Sequence, residues 1–134
     1  MYFELVSLKK QIQPQFQINA VSVYVAQESQ PEKRLFLFAY KITIKNTGHT
    51  AAQLMSRQWF ITDGLGHVEE VRGPGVVGLQ PRILPNQTFE YESACPLTTS
   101  SGSMRGSYYF IGDDGEPFSI EIPEFYLFAP QAIH

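Results

Sequence analysis

At 134 residues the chain has the length of one domain, 1–134, and its 43% hydrophobic, 13% aromatic and 17% charged content excludes a disordered chain. A net charge of −3 excludes a general electrostatic grip on nucleic acid or anionic lipid, although a local pair of arginines can still hold a small anion. A single cysteine, Cys95, excludes an intrachain disulfide and a thiolate metal cluster.

The opening MYFELVSLKK lacks the basic start, apolar run and small-residue cleavage site of a secretory signal. No stretch reaches the roughly 18 unbroken apolar residues of a membrane-spanning helix, so no membrane attachment and a cytoplasmic location are expected. The polar, proline-interrupted start and the terminal QAIH predict flexible ends near 1–15 and 129–134.

Between these ends the apolar residues alternate, which is the period of a strand with one buried face. In QINAVSVYV, Ile18 and then Val21, Val23 and Val25 predict a strand that shifts register near Ala20. LFLFAYKITIKN puts Phe36, Phe38, Tyr40, Ile42 and Ile44 on one side, with Lys41, Thr43 and Lys45 on the other. Two segments, Ala51 to Asp63 and Gly66 to Val71, flank the hairpin turn Asp63-Gly64-Leu65-Gly66. Thr88 to Cys95 alternates Phe89, Tyr91, Ser93 and Cys95 against Thr88, Glu90 and Glu92. Ser103 to Ile111 leads through Gly112-Asp113-Asp114-Gly115 to Pro117–Ile122, and the proline-bounded PEFYLFAP suits a sheet edge. No convincing helix interrupts the series. Seven to eight short strands with regular turns predict an all-β fold, an antiparallel immunoglobulin- or fibronectin type III-like sandwich.

EVRGPGVVGLQP carries G-x-G-x-x-G, the spacing of a dinucleotide fingerprint. That fingerprint needs a helix directly after the glycines, with its N-terminus facing the phosphates. Here Pro81 and Pro85 follow, and the next regular segment has period two, so the dinucleotide reading fails. A second anion site remains open: a nest of backbone N–H groups over Gly73, Gly75, Val76, Val77 and Gly78, flanked by Arg72 and Arg82. The plainer alternative is that the glycines only shape a long connection.

No catalytic constellation emerges. His49, His67 and His134 have no metal-ligand spacing, and no metal or cofactor is expected. Asp113 and Asp114 fit a turn, Glu69 and Glu70 alternate across a strand, and Ser100, Ser101 and Ser103 form a polar loop. Cys95 shares the parity of Phe89 and Tyr91, which predicts a buried thiol. In LMSRQWFI, Arg57 shares the parity of Trp59 and Ile61. Either a bulge intervenes and Trp59 is core, or Arg57 and Trp59 share an outward interaction surface. Phe125 and Tyr126 of the aromatic C-terminal segment are the other candidates for such a surface.

Several blocks in order resemble the bacterial ApaG family: FAYKITIKNTG, AQLMSRQWFITD, EVRGPGVVGLQP, GSMRGSY and IPEFYL, within a match that runs from about Phe36 to Leu127. One departure is Pro85-Asn86-Gln87, where the family usually has Pro-Gly; asparagine also accepts turn geometry. The resemblance implies the same sandwich. It implies an interaction module more than an enzyme, and it assigns a suggested pyrophosphate contact to Gly73, Gly75 and Gly78. The expected function is thus a non-enzymatic domain working through protein contacts, with a protein partner or further copies of itself. The alternative is a phosphate, pyrophosphate or nucleotide binder using the glycine loop.

Overall fold

The computed structural model describes residues 15–130. Of the flexible ends expected near 1–15 and 129–134, residues 1–14 and 131–134 lie outside those residues. Where the description begins and ends, the chain is tied down: Thr47 N–H donates to the Gln15 carbonyl at 3.0 Å, and Ala129 N–H to that of Ser100 at 2.8 Å. Eight strands follow one another: β1 (Phe16–Tyr24), β2 (Phe36–Asn46), β3 (Ala52–Asp63), β4 (Val68–Pro74), β5 (Arg82–Ile83), β6 (Thr88–Leu97), β7 (Ser101–Gly112) and β8 (Pro117–Phe128). The only helical elements among the described residues are single 3₁₀ turns at Ala26–Glu28 and Pro31–Lys33. One sheet has the order β1-β2-β6; the other runs β4-β3-β7-β8, with β5 paired to the start of β3. All pairings are antiparallel, and the two sheets form a sandwich.

Alternation decides which faces meet. In β2, Phe38, Tyr40, Ile42 and Ile44 are buried, while Lys41 and Lys45 on the other face are exposed. β6 matches it, with Tyr91 and Cys95 turned inward. The expected register shift near Ala20 does not occur. β1 pairs with β2 without interruption from Phe16↔Asn46 to Tyr24↔Phe38, which turns Ile18, Ala20 and Tyr24 inward and leaves Val21 and Val23 exposed. The valines mislead because β-branched residues favour any strand position, inside or out.

Pro123 does not end a strand either. Met104 pairs with Phe125 and Gly106 with Ile122, so Pro123 and Glu124 together oppose Arg105 in a bulge. A bulge on an edge strand tolerates a residue with no N–H to donate. β7 begins at Ser101, two residues before the Ser103 at which the strand was expected to start.

Trp59 is the hub between the sheets. Its ring meets Tyr40, Tyr108 and Phe125 edge-on, with centroids 5.8, 6.2 and 5.9 Å away. Beside it the hydroxyls of Tyr91 (β6) and Tyr108 (β7) share one hydrogen bond across the sandwich, one donating and the other accepting. Asn46, fully buried, is satisfied as well. Its Nδ2 donates to the carbonyls of Thr50 (2.9 Å) and Ile83 (3.1 Å), and its Oδ1 accepts from Gly48 N–H (2.9 Å).

Burial raises the pKa of Tyr40, Tyr91 and Tyr108, because a phenolate would lose its hydration. The folded chain therefore keeps protons that the unfolded chain releases at about pH 10, and stability is lost as pH rises beyond that value. In a spectrophotometric titration these three of the seven tyrosines should ionise only as the β-sheet circular dichroism collapses. Ionisation of all seven near pH 10 with the sheet signal intact would contradict the burial.

Candidate functional site

The glycine segment runs from the end of β4 into a tight hairpin. Gly75 N–H donates to the Met55 carbonyl at 2.8 Å. Val76 and Leu79 then exchange backbone hydrogen bonds at 2.8 and 2.9 Å, closing a two-residue turn over Val77 and Gly78. Both central residues have positive φ, 44° and 80°, the signature of a type I′ turn. No helix follows; the chain passes into β5. Gly75 itself has φ 58°, and a Cβ there would lie 2.2 Å from the Leu79 carbonyl oxygen, so only glycine fits. Val76 anchors the hairpin in the core, while Val77 is 53% exposed at its tip.

Arg57 latches this hairpin. The register of β3 shifts between Leu54, opposite Phe110, and Ser56, opposite Tyr109, so Met55 is an extra residue. That bulge turns Leu54 inward before it and Arg57, Trp59 and Ile61 inward after it. Arg57 pairs directly with Gly73, and its guanidinium lies flat against that residue; a Cβ on Gly73 would meet Nη1 at 2.9 Å. From there Nη1 donates to the carbonyls of Pro74 and Gly75, both at 3.0 Å.

The expected anion ligands are brought together only in part. Of the nest N–H groups from Gly75 to Gly78, those of Gly75 and Val76 are engaged by backbone carbonyls, and those of Val77 and Gly78 have no partner among the described residues. Arg72 donates through Nε to Glu70 at 2.6 Å, and Glu70 also accepts from Gln58 Nε2 at 2.7 Å. Arg82 is paired with Asp113, 31 residues away, and this bond holds the Asp113 carboxyl below its usual range.

The expected interaction surface needs correction. Trp59, 2% exposed, and Phe125, 9% exposed, belong to the core, and Arg57 faces inward with them. Tyr126 is on the surface, 69% exposed, and Phe128 beside it is 66% exposed. Phe128 was missed; it shares the outward parity of Tyr126, and that spacing was the available signal. The two aromatics line one groove of about 470 Å³ together with Thr62, Ser101, Ser103 and Leu127. Cys95 is buried, and burial pushes its thiol up to about 11. Among the described residues no three His, Cys, Asp or Glu side chains gather as metal ligands.

Val77 is a β-branched residue in the left-handed region, a conformation that asparagine or glycine adopts more readily. Val77→Asn should therefore raise the melting temperature by about 3–5 °C, corresponding to about 1 kcal/mol. Gly75→Ala should lower stability by about 2–4 kcal/mol, because strain and a backbone clash coincide there. Paired thermal melts would check both signs.

A family model, the ApaG domain, matches residues 26–112. The ApaG protein of Bdellovibrio bacteriovorus is 69% identical over 121 residues, covering 90% of this chain and 95% of that protein. The ApaG protein of Bordetella pertussis is 50% identical over 117 residues, covering 87% and 89%. A crystal structure from Bordetella pertussis, described as an ApaA protein, superposes with a TM-score of 0.85 at 46% identity, covering 89% of this chain and 97% of that one. With β2 to β7 and the glycine hairpin inside residues 26–112 and these relatives covering about nine-tenths of it, the chain belongs to the ApaG family.

Proposed function

We propose that the chain is a non-enzymatic binding domain acting through protein contacts, with the outer face of β8 as its contact surface. One observation carries this reading. Tyr126 and Phe128 present two large aromatic side chains to solvent, side by side on an edge strand, on the wall of a groove. Most aromatic side chains among the described residues are buried or packed against the core, and aromatics are favoured where a surface must bind another protein. Among the described residues the groove's ionisable side chains are Asp63 and the phenol of Tyr126, and Asp63 Oδ1 is engaged by the backbone N–H groups of Leu65 and His67.

A second reading, phosphate or pyrophosphate binding at the hairpin, is supported by the N–H groups of Val77 and Gly78, which have no partner among the described residues. Against it weigh the carboxylates already paired with Arg72 and Arg82, which an anion would have to displace. An amide-resolved titration with pyrophosphate separates the readings, since only the second moves the signals of residues 75–79.

The leading reading is tested by photo-crosslinking in living cells. A photoreactive residue at position 126 or 128 should give one discrete protein adduct, and the same group at exposed Leu65 should give none. Equal, diffuse labelling from all three positions would overturn the assignment of this face.

A further inference from the structure

We infer that the groove beside β8 takes a positively charged, extended segment of a partner protein, Arg- or Lys-bearing. This rests on the reading of β8 as the contact face and adds the chemistry of what binds there. The groove has a floor of small residues, Thr62, Gly64, Ser101, Gly102 and Ser103, and an aromatic wall of Tyr126 and Phe128. A small-residue floor lets an extended backbone lie close, and exposed aromatic faces attract cations through the ring quadrupole.

Two carboxylates, Asp63 and Glu124, stand at the groove, with His67 Nδ1 3.3 Å from Asp63 Oδ2. Asp63 lines one end, and the Glu124 carboxylate is held on the aromatic wall: Oε2 accepts from Ser103 Oγ at 3.2 Å and Oε1 from Tyr126 OH at 3.3 Å. Glu124 reaches this position because it follows Pro123 in the bulge opposite Arg105, which places it beside Tyr126 and not within an unbroken ladder. Among the described residues no Lys or Arg lines the groove. The exposed Arg105 on β7 has its guanidinium over the Phe60 ring, 4.6 Å from the centroid. A fixed carboxylate beside two exposed aromatic rings complements an arginine or lysine side chain, and it repels an acidic segment.

The test uses the full chain and three capped peptides on one frame, Arg-Ala-Arg-Ala-Arg and its Gln and Glu counterparts. Amide-resolved NMR titration should show the Arg peptide moving the signals of Gly102, Ser103, Tyr126 and Phe128, binding about fivefold or more tightly than the Gln peptide. The Glu peptide should leave them unmoved. Glu124→Gln, an exposed substitution that leaves the core intact, should weaken the Arg peptide about threefold and flatten its salt dependence. Equal binding of the Arg and Gln peptides would overturn the charge assignment while leaving β8 as a contact face. Movement of other signals, or of none, would overturn the groove itself. Shifts of the same signals on simple dilution, without peptide, would assign the groove to a second copy of the chain and overturn the proposal.

Discussion

An arginine can occupy the inward face of a sheet only where something makes room for it and something accepts its hydrogen bonds. Arg57 meets both conditions at one place. Gly73, directly opposite on β4, has no side chain, and the carbonyls of Pro74 and Gly75 lie within reach of Nη1. The Met55 bulge sets the parity that points Arg57 inward, and the same bulge sets Trp59 at the centre of the aromatic core. Met55 also accepts Gly75 N–H and Gln80 Nε2 through its carbonyl, so bulge, latch and hairpin are one mechanical unit. G-x-G-x-x-G spacing follows from this geometry residue by residue. The first glycine admits a guanidinium, the second a positive φ and a close carbonyl, and the third the second half of a two-residue turn.

Much of the fold was legible in the sequence because one face of each strand is dry. The alternation in β2 and β6 was unambiguous, and the turns at Asp63–Gly66 and Gly112–Gly115 carry glycines at positive φ where the sequence placed them. Asn86, at φ 68°, fills the role usually taken by glycine. What failed to read was the placement of single extra residues. Met55 and the Pro123-Glu124 pair each shift parity by one residue, and nothing in local composition marks a bulge. Arg57 and Trp59 therefore left two arrangements open, and Phe125 looked as available as Tyr126. Val21 and Val23 failed for a different reason, since their β propensity carries no information about which side is wet.

The binding surface is legible only once the bulges are known. After Pro123 and Glu124, odd positions of β8 turn inward and even positions outward, which separates buried Phe125 and Leu127 from exposed Tyr126 and Phe128. The C-terminal half of β8 is thus a boundary strand with a core face and a sticky face. β1 guards its open side at one point, where Ser22 Oγ donates to the Tyr126 carbonyl at 2.7 Å. That contact reduces the backbone available for strand addition and leaves side chains as the means of recognition.

Amide hydrogen exchange of wild type and Arg57→Met tests the latch most directly, since methionine keeps much of the stem and removes the guanidinium. If Arg57 holds the hairpin, exchange at Gly75 and Val76 should accelerate about tenfold, while Phe38 and Ile42 in β2 keep their protection. Unchanged exchange at Gly75 in the variant would show that the hairpin stands without Arg57, and would contradict the account of why Gly73 and Gly75 are glycines.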